Sequence, residues 1–238
     1  MTKRMLLAIL LLIVFALPAG CQKQGGEPTQ PTAPAPTILP THTPEPSPTP
    51  TPDPVGEALA GMTVEQKAAQ LLVAGIEGTE PGEDAVQAVQ GYQVGGVILF
   101  GRNVESAEQL AALTNGLKEL NGDYTPLFLC VDQEGGRVDR MPPEVTDLPS
   151  ALDFGSIADP EARMDACFTL GQTLAAQCAA FGFNMDFAPS LDIWSNPENT
   201  VIGDRAFGTD AATVTGAANE TALGILSGGV IPVAKHFP

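Results

Sequence analysis

From residue 63 onward, short apolar runs alternate with longer stretches in which apolar side chains recur at helical spacing. Thr63-Val64-Glu65-Gln66 has the form of a capping box, its hydroxyl and amide placed to satisfy the orphan N–H groups of a helix start. Leu71–Ile76 reads as a first short buried strand, Glu83–Gln90 as a helix-prone stretch, and Gly96–Phe100 as a second strand. Ser106 with Gln109 caps a helix carrying Leu110, Leu113, Leu117 and Leu120. Leu127–Val131 is a third apolar run, ending at Asp132. After an irregular segment, Asp159-Pro160 starts a long helix through Met164, Leu170 and Leu174. Asn184–Ala188 reads as a fourth strand, Ala211–Leu226 as a helix, and Val230–Ala234 as a fifth strand.

Wholly apolar strands between helices predict a parallel sheet with both faces covered. An open doubly wound sheet would want a Gly-x-Gly-x-x-Gly turn after its first strand, and Gly75-Ile76-Glu77-Gly78 does not fit. Polar groups gather instead where strands end: Gly101-Arg102-Asn103, Asp132–Arg137, Ser190-Leu191-Asp192 and Lys235-His236. A barrel builds its active face from the carboxyl ends of its strands. The expected fold is therefore α/β, a (β/α)8 TIM-type barrel. Residues 55–238 supply about five of its eight strands, so the barrel reads as truncated, with strands one and five as open edges.

The first 54 residues follow other rules. Lys3 and Arg4 precede an apolar run from Met5 to Leu17, 13 residues long. That suits the core of an export signal, about 7–15 residues, and falls short of the ~20 a bilayer span needs. Ala19 and Gly20 lead to Cys21 as in a bacterial lipoprotein signal, although Pro18 stands where such signals usually carry Leu. The reading is a signal peptide over 1–20 and lipidation at Cys21, giving an extracytoplasmic protein held to the membrane surface, or otherwise secreted. From Gln22 to Pro54, 11 of 33 residues are Pro and seven are Thr, which marks 21–54 as a disordered linker. Extended at about 3.1 Å per residue, it could reach on the order of 100 Å.

Charge narrows the function. Eleven Lys and Arg against 28 Asp and Glu leave −17, which argues against a nucleic-acid partner. Two His and four Cys without a Cys-x-x-Cys pair argue against a zinc site, and no cofactor is implied. Cys130, Cys167 and Cys178 read as buried small hydrophobes.

Three segments carry the chemistry. Asp132-Gln133-Glu134-Gly135-Gly136-Arg137-Val138-Asp139-Arg140 sets carboxylates and guanidinium groups around two glycines, an arrangement suited to polyol hydroxyls. Pro189–Gly208 is a loop of about 20 residues, a length that usually marks a binding or active-site loop; within it Arg205 has Asp204 or Asp192 as nearby partners. Its acidic residues lack calcium-loop spacing. Lys235-His236-Phe237-Pro238 adds two cationic-capable donors beside a strand.

Together these segments resemble glycoside hydrolase family 3, in particular its β-N-acetylhexosaminidase branch. The similar strings are Asp132–Val138, Asn196-Pro197-Glu198-Asn199-Thr200-Val201-Ile202-Gly203-Asp204-Arg205-Ala206-Phe207-Gly208 and Lys235–Pro238, with support from Gly95–Phe100 and Asn184–Pro189. The resemblance covers Thr63 to Pro238. It implies a retaining hydrolase that removes terminal β-N-acetylglucosamine from peptidoglycan or chitin-type saccharides. It also implies that Asp132, Arg140, Arg205, Lys235 and His236 bind the sugar before the scissile bond. Glu134, Arg137 and Asp192 are assigned to shaping the pocket rather than to contact. The nucleophilic Asp and the acid/base His are expected beyond Pro238, so these 238 residues alone are expected to hydrolyse nothing. Asp132 and Glu134 as the reacting carboxylate pair, a β-glucosidase-type member, a catalytically inactive carbohydrate-binding lipoprotein and a barrel acting on phosphorylated substrates are the other readings.

Overall fold

The computed structural model of the chain describes residues 53–237. The expected leader, the Cys21 lipidation site and the linker up to residue 52 lie outside the described residues.

Five parallel strands form one sheet: β1 (Val73–Gly75), β2 (Gly96–Leu99), β3 (Phe128–Val131), β4 (Met185–Asp186) and β5 (Ile231–Pro232). They lie side by side in chain order, each paired only with its sequence neighbours. A doubly wound sheet would reverse direction after its first strands, whereas a barrel adds each strand to the same side. The order is the barrel's.

Helices fill the crossovers for reasons visible locally. α1 (Pro54–Gly61) starts where the Asp53 carboxylate accepts from the Gly56 N–H at 2.9 Å, with Pro54 in the first turn. The sequence reading placed no helix there, because the Asp-Pro start merges into the Pro/Thr-rich run. α2 (Val64–Ala69) has its capping box: Thr63 Oγ1 accepts from Gln66 N–H at 3.2 Å, and Gln66 Oε1 accepts from Thr63 N–H at 2.8 Å. α3 (Glu83–Val86) widens into a π-helical stretch over Gln87–Tyr92. Ser106 caps α4 (Ala107–Asn121), which buries Leu110, Leu113 and Leu117. A second capping box, Ser150 with Asp153, opens α5 (Ala151–Gly155) inside the segment expected to be irregular. α6 (Pro160–Ala180) and α7 (Ala211–Ser227) pack tightly: a Cβ on Gly171 would strike the Thr221 carbonyl, and one on Gly224 the Phe168 carbonyl.

The core lies between sheet and helices. Val97, Leu99, Leu129, Cys130 and Val131 on β2 and β3 are fully buried, as are Leu110, Leu117, Ala175 and Ile225 from the helices. All three described cysteines are buried thiols, and burial pushes Cys130 up to about 12 and Cys167 up to about 11. One expectation fails: the first strand is not buried. Leu71 and Leu72 precede β1 and are 86% and 58% exposed; among the described residues β1 pairs on one side only, with β2. β4 is only two residues long. The Asn184 side chain extends its pairing to β3, accepting from Leu129 N–H at 2.9 Å and donating to the Leu127 carbonyl at 3.0 Å.

Candidate functional site

The site begins where β3 stops. The chain turns at Gly135 (φ 81°) and Gly136 (φ 55°), conformations that favour glycine. A Cβ at either would also crowd Pro149 or Ser150, at 2.9 and 3.0 Å. This fold-back buries Glu134 and leaves Arg137 half-exposed. Gln133, fully buried, stiffens the turn from beneath: its N–H donates to Asp186 Oδ1 (2.9 Å), its Oε1 accepts from Arg140 N–H (2.8 Å) and its Nε2 donates to Gln177 Oε1 (2.9 Å).

Glu134 is the hub. Arg205 grips it with both prongs, Nε to Oε2 at 2.9 Å and Nη2 to Oε1 at 2.8 Å. Lys235 Nζ, just beyond β5, lies 2.5 Å from Glu134 Oε1 and 2.6 Å from Asp132 Oδ1. Arg205 Nη2 also lies 3.2 Å from His236 Nε2. A guanidinium has only donors, so the imidazole accepts at Nε2 and carries its proton on Nδ1, which donates to Asp192 Oδ2 at 2.6 Å. Ser190 donates to the same oxygen at 2.8 Å. Asp132, Glu134, Asp192, Arg205, Lys235 and His236 thus form one continuous network across the carboxyl ends of β3 to β5.

Its electrostatics follow from burial. Desolvation alone would raise the Glu134 carboxyl, but the hydrogen bonds from Arg205 and Lys235 outweigh it and hold the group below the usual carboxylate range. Asp192 is likewise lowered, its partial burial outweighed by His236 and Ser190. The bond to Glu134 raises Arg205. Asp186, on β4, goes the other way: burial pushes its carboxyl up to about 8 against the pull of the Gln133 N–H and Lys235, and Oδ2 has no partner.

Four of the five sugar-contact candidates, Asp132, Arg205, Lys235 and His236, are therefore brought together. Arg140 makes no bond to the network; its guanidinium donates to the Asp139 carbonyl at 3.2 Å, and its stem approaches Gly101 at the end of β2. The partners expected for Arg205 are corrected: it pairs with Glu134, while Asp204 pairs with Arg137 at 2.7 Å. Arg137 Nη2 also donates to the Val201 and Ile202 carbonyls, both at 2.8 Å. Sequence reasoning missed Gln133 and Asp186 as supports. An amide after the strand and an acid within a short apolar strand were the available signals. Among the described residues, no group of three or more His, Cys, Asp or Glu converges as metal ligands do. The site offers alternating acceptors and donors, held rigidly at a strand-end rim, which fits a polyhydroxylated ring.

Comparison with known proteins points the same way. Residues 63–238 match the model of the glycosyl hydrolase family 3 N terminal domain. Over 228 residues the chain is 34% identical to the beta-hexosaminidase LpqI of Mycobacterium tuberculosis, covering 94% of this chain and 55% of that protein. Among solved structures, a family 3 beta-N-acetylglucosaminidase from Paenibacillus superposes with a TM-score of 0.68 at 38% identity, over 75% of this chain and 34% of that one. NagZ from Neisseria gonorrhoeae, solved with N-trifluoroacetyl-D-glucosamine, gives 0.64 at 35% identity, over 70% of this chain and 50% of that one. The chain spans about half the length of the curated relatives it matches.

Proposed function

The chain belongs to glycosyl hydrolase family 3, and from that premise we propose that it serves a β-N-acetylglucosaminidase reaction by gripping the terminal N-acetylglucosamine of a peptidoglycan or chitin-type saccharide. Relatives named beta-hexosaminidase and beta-N-acetylglucosaminidase support the substrate class. The observation that carries the reading is the Asp132–Lys235–Glu134–Arg205–His236 network, which joins segments 103 residues apart into one rim. Asp132 engages only Oδ1 with Lys235, leaving Oδ2 to accept a sugar hydroxyl, and His236 adjoins Lys235 at the same rim. Glu134, held ionised by two cations, is a counter-ion and not a proton donor. The residues described here bind and orient the ring, and retention of configuration needs a nucleophile and a proton donor besides them. Export by the leader, lipidation at Cys21 and tethering through the linker place the enzyme at the outer face of a bacterial membrane, where cell-wall saccharides are its substrate.

Calorimetric titration of the full chain with N-acetylglucosamine tests the reading. Saturable binding is expected, weakened at least tenfold in Lys235→Met, since a charge-assisted hydrogen bond contributes about 1.5–3 kcal/mol. No binding, or equal binding by the variant, overturns it.

A further inference from the structure

The cations at this rim are already neutralised. Every guanidinium nitrogen of Arg205 is engaged: Nε and Nη2 on Glu134, Nη2 also on His236, and Nη1 on the Val201 carbonyl at 3.3 Å. Lys235 is bonded to two carboxylates, and both cationic side chains are only 13% exposed. An arginine fork is the usual recogniser of carboxylate and phosphate, and here that face is filled from within. Within the network two cations, Arg205 and Lys235, stand against three carboxylates, Asp132, Glu134 and Asp192. His236 is neutral while it accepts from Arg205, and Asp186 below, raised by burial, adds little charge near neutral pH. An incoming anion would find the Arg205 fork and the Lys235 ammonium already occupied and would face the outer oxygens of Asp132 and Asp192.

We infer that Glu134 is a specificity-determining residue: by occupying the Arg205 fork and Lys235 it makes the subsite select an uncharged sugar ring and exclude phosphate- or carboxylate-bearing ligands. Discrimination needs a repulsive element as well as an attractive one, and Glu134 supplies it while touching the cations rather than the sugar. The inference rests on the sugar-binding reading for the identity of the ligand that is accepted, but the exclusion of anions is tested separately.

The full chain and Glu134→Gln are titrated with N-acetylglucosamine and, at constant ionic strength, with inorganic phosphate. The wild type is expected to bind the sugar with an affinity that phosphate leaves unchanged within twofold. Glu134→Gln frees two donors in a partly buried pocket and is expected to bind phosphate at least tenfold more tightly than the wild type, in competition with the sugar. Adding Lys235→Gln to that variant is expected to remove most of the gain. Phosphate competing with the sugar in the wild type overturns the inference and needs no variant to be folded; so does a folded Glu134→Gln that gains no phosphate affinity. A wild type that binds no saccharide sinks the functional reading alone, because gain of phosphate binding in Glu134→Gln still supports the exclusion role.

Discussion

Two arginine–carboxylate pairs fasten the same loop to the same turn, with their charges exchanged. Glu134 on the turn holds Arg205 on the loop, and three residues on, Arg137 on the turn holds Asp204, the loop residue next to Arg205. Their lengths are nearly equal, 2.8 and 2.7 Å, but their settings are not. The Arg205 and Glu134 side chains are 13% and 5% exposed, those of Arg137 and Asp204 44% and 45%. Chemistry alone would rank the pairs equal. Burial separates them: the inner pair is desolvated and felt in full when one half is lost, and the outer pair is softened by water and salt. The inner pair therefore suits a site that must hold its donors still, and the outer pair suits a fastening.

The largest test removes the inner carboxylate. Glu134→Ala leaves Arg205 and Lys235 facing each other without their shared counter-ion, and losing one partner of a buried pair typically costs about 3–5 kcal/mol. Urea unfolding should show that loss as a lower midpoint. A drop under about 1 kcal/mol would mean that the inner pair is no stronger than an exposed one, and the contrast would fail.

Asp186→Asn sharpens the comparison, because Asp186 is a buried carboxyl with no salt-bridge partner. Its folded value of about 8 lies above the ordinary 3.8, so between those limits the folded state binds more protons than the unfolded state. Stability accordingly falls as pH rises through that window, by at most about 1.4 kcal/mol per pH unit. Glu134 has the opposite sign: its folded value is lowered, so its stabilisation is present above 4.5 and fades as pH falls through the folded value. Asparagine keeps an acceptor for the Gln133 N–H and cannot ionise. Relative to the wild type, the variant should gain about 2–3 kcal/mol between pH 5 and pH 7 in denaturation curves. A wild-type slope unchanged in Asp186→Asn would show the group to be ionised in the folded state.

The sequence made the sheet legible because wholly apolar strands and capped helices are local signals; Thr63, Ser106 and Asp159 each start the helix their types announce. Burial was less legible. Leu71–Ile76 reads like Leu127–Val131, yet Leu71–Val73 are exposed, since among the described residues β1 has a neighbour on one side only. At the site, Asp132, Asp192, Lys235 and His236 were readable because each follows a strand, and strand ends share one face, whereas Arg205, well along the loop after β4, came from the resemblance alone. Pairing was not, since Arg205 is one residue from Asp204 in sequence yet bonds a carboxylate 71 residues away. Backbone direction in the loop decides that choice, and no local pattern encodes it. Arg140 marks the same limit: the resemblance assigned it to the sugar with Asp132, whereas its guanidinium donates to its own loop's Asp139 carbonyl.

The smallest effect belongs to the outer pair and separates fastening from recognition. Arg137→Ala removes an exposed ion pair, about 0.2–1 kcal/mol, and two hydrogen bonds to the Val201 and Ile202 carbonyls, which water can replace. Global stability should therefore fall by only about 1 kcal/mol, less at 0.5 M salt than at 0.05 M, because a surface charge pair is screened within roughly a Debye length. Arg205 keeps its fork on Glu134, so N-acetylglucosamine affinity should change less than threefold. Of the arginine bonds to the backbone of 201–204, only the 3.3 Å bond from Arg205 Nη1 to the Val201 carbonyl then remains, and limited proteolysis there should accelerate well before the core unfolds. A loss of sugar affinity as large as that in Lys235→Met, with stability preserved, would show that the outer pair sets the position of Arg205 and that burial is not what divides the two.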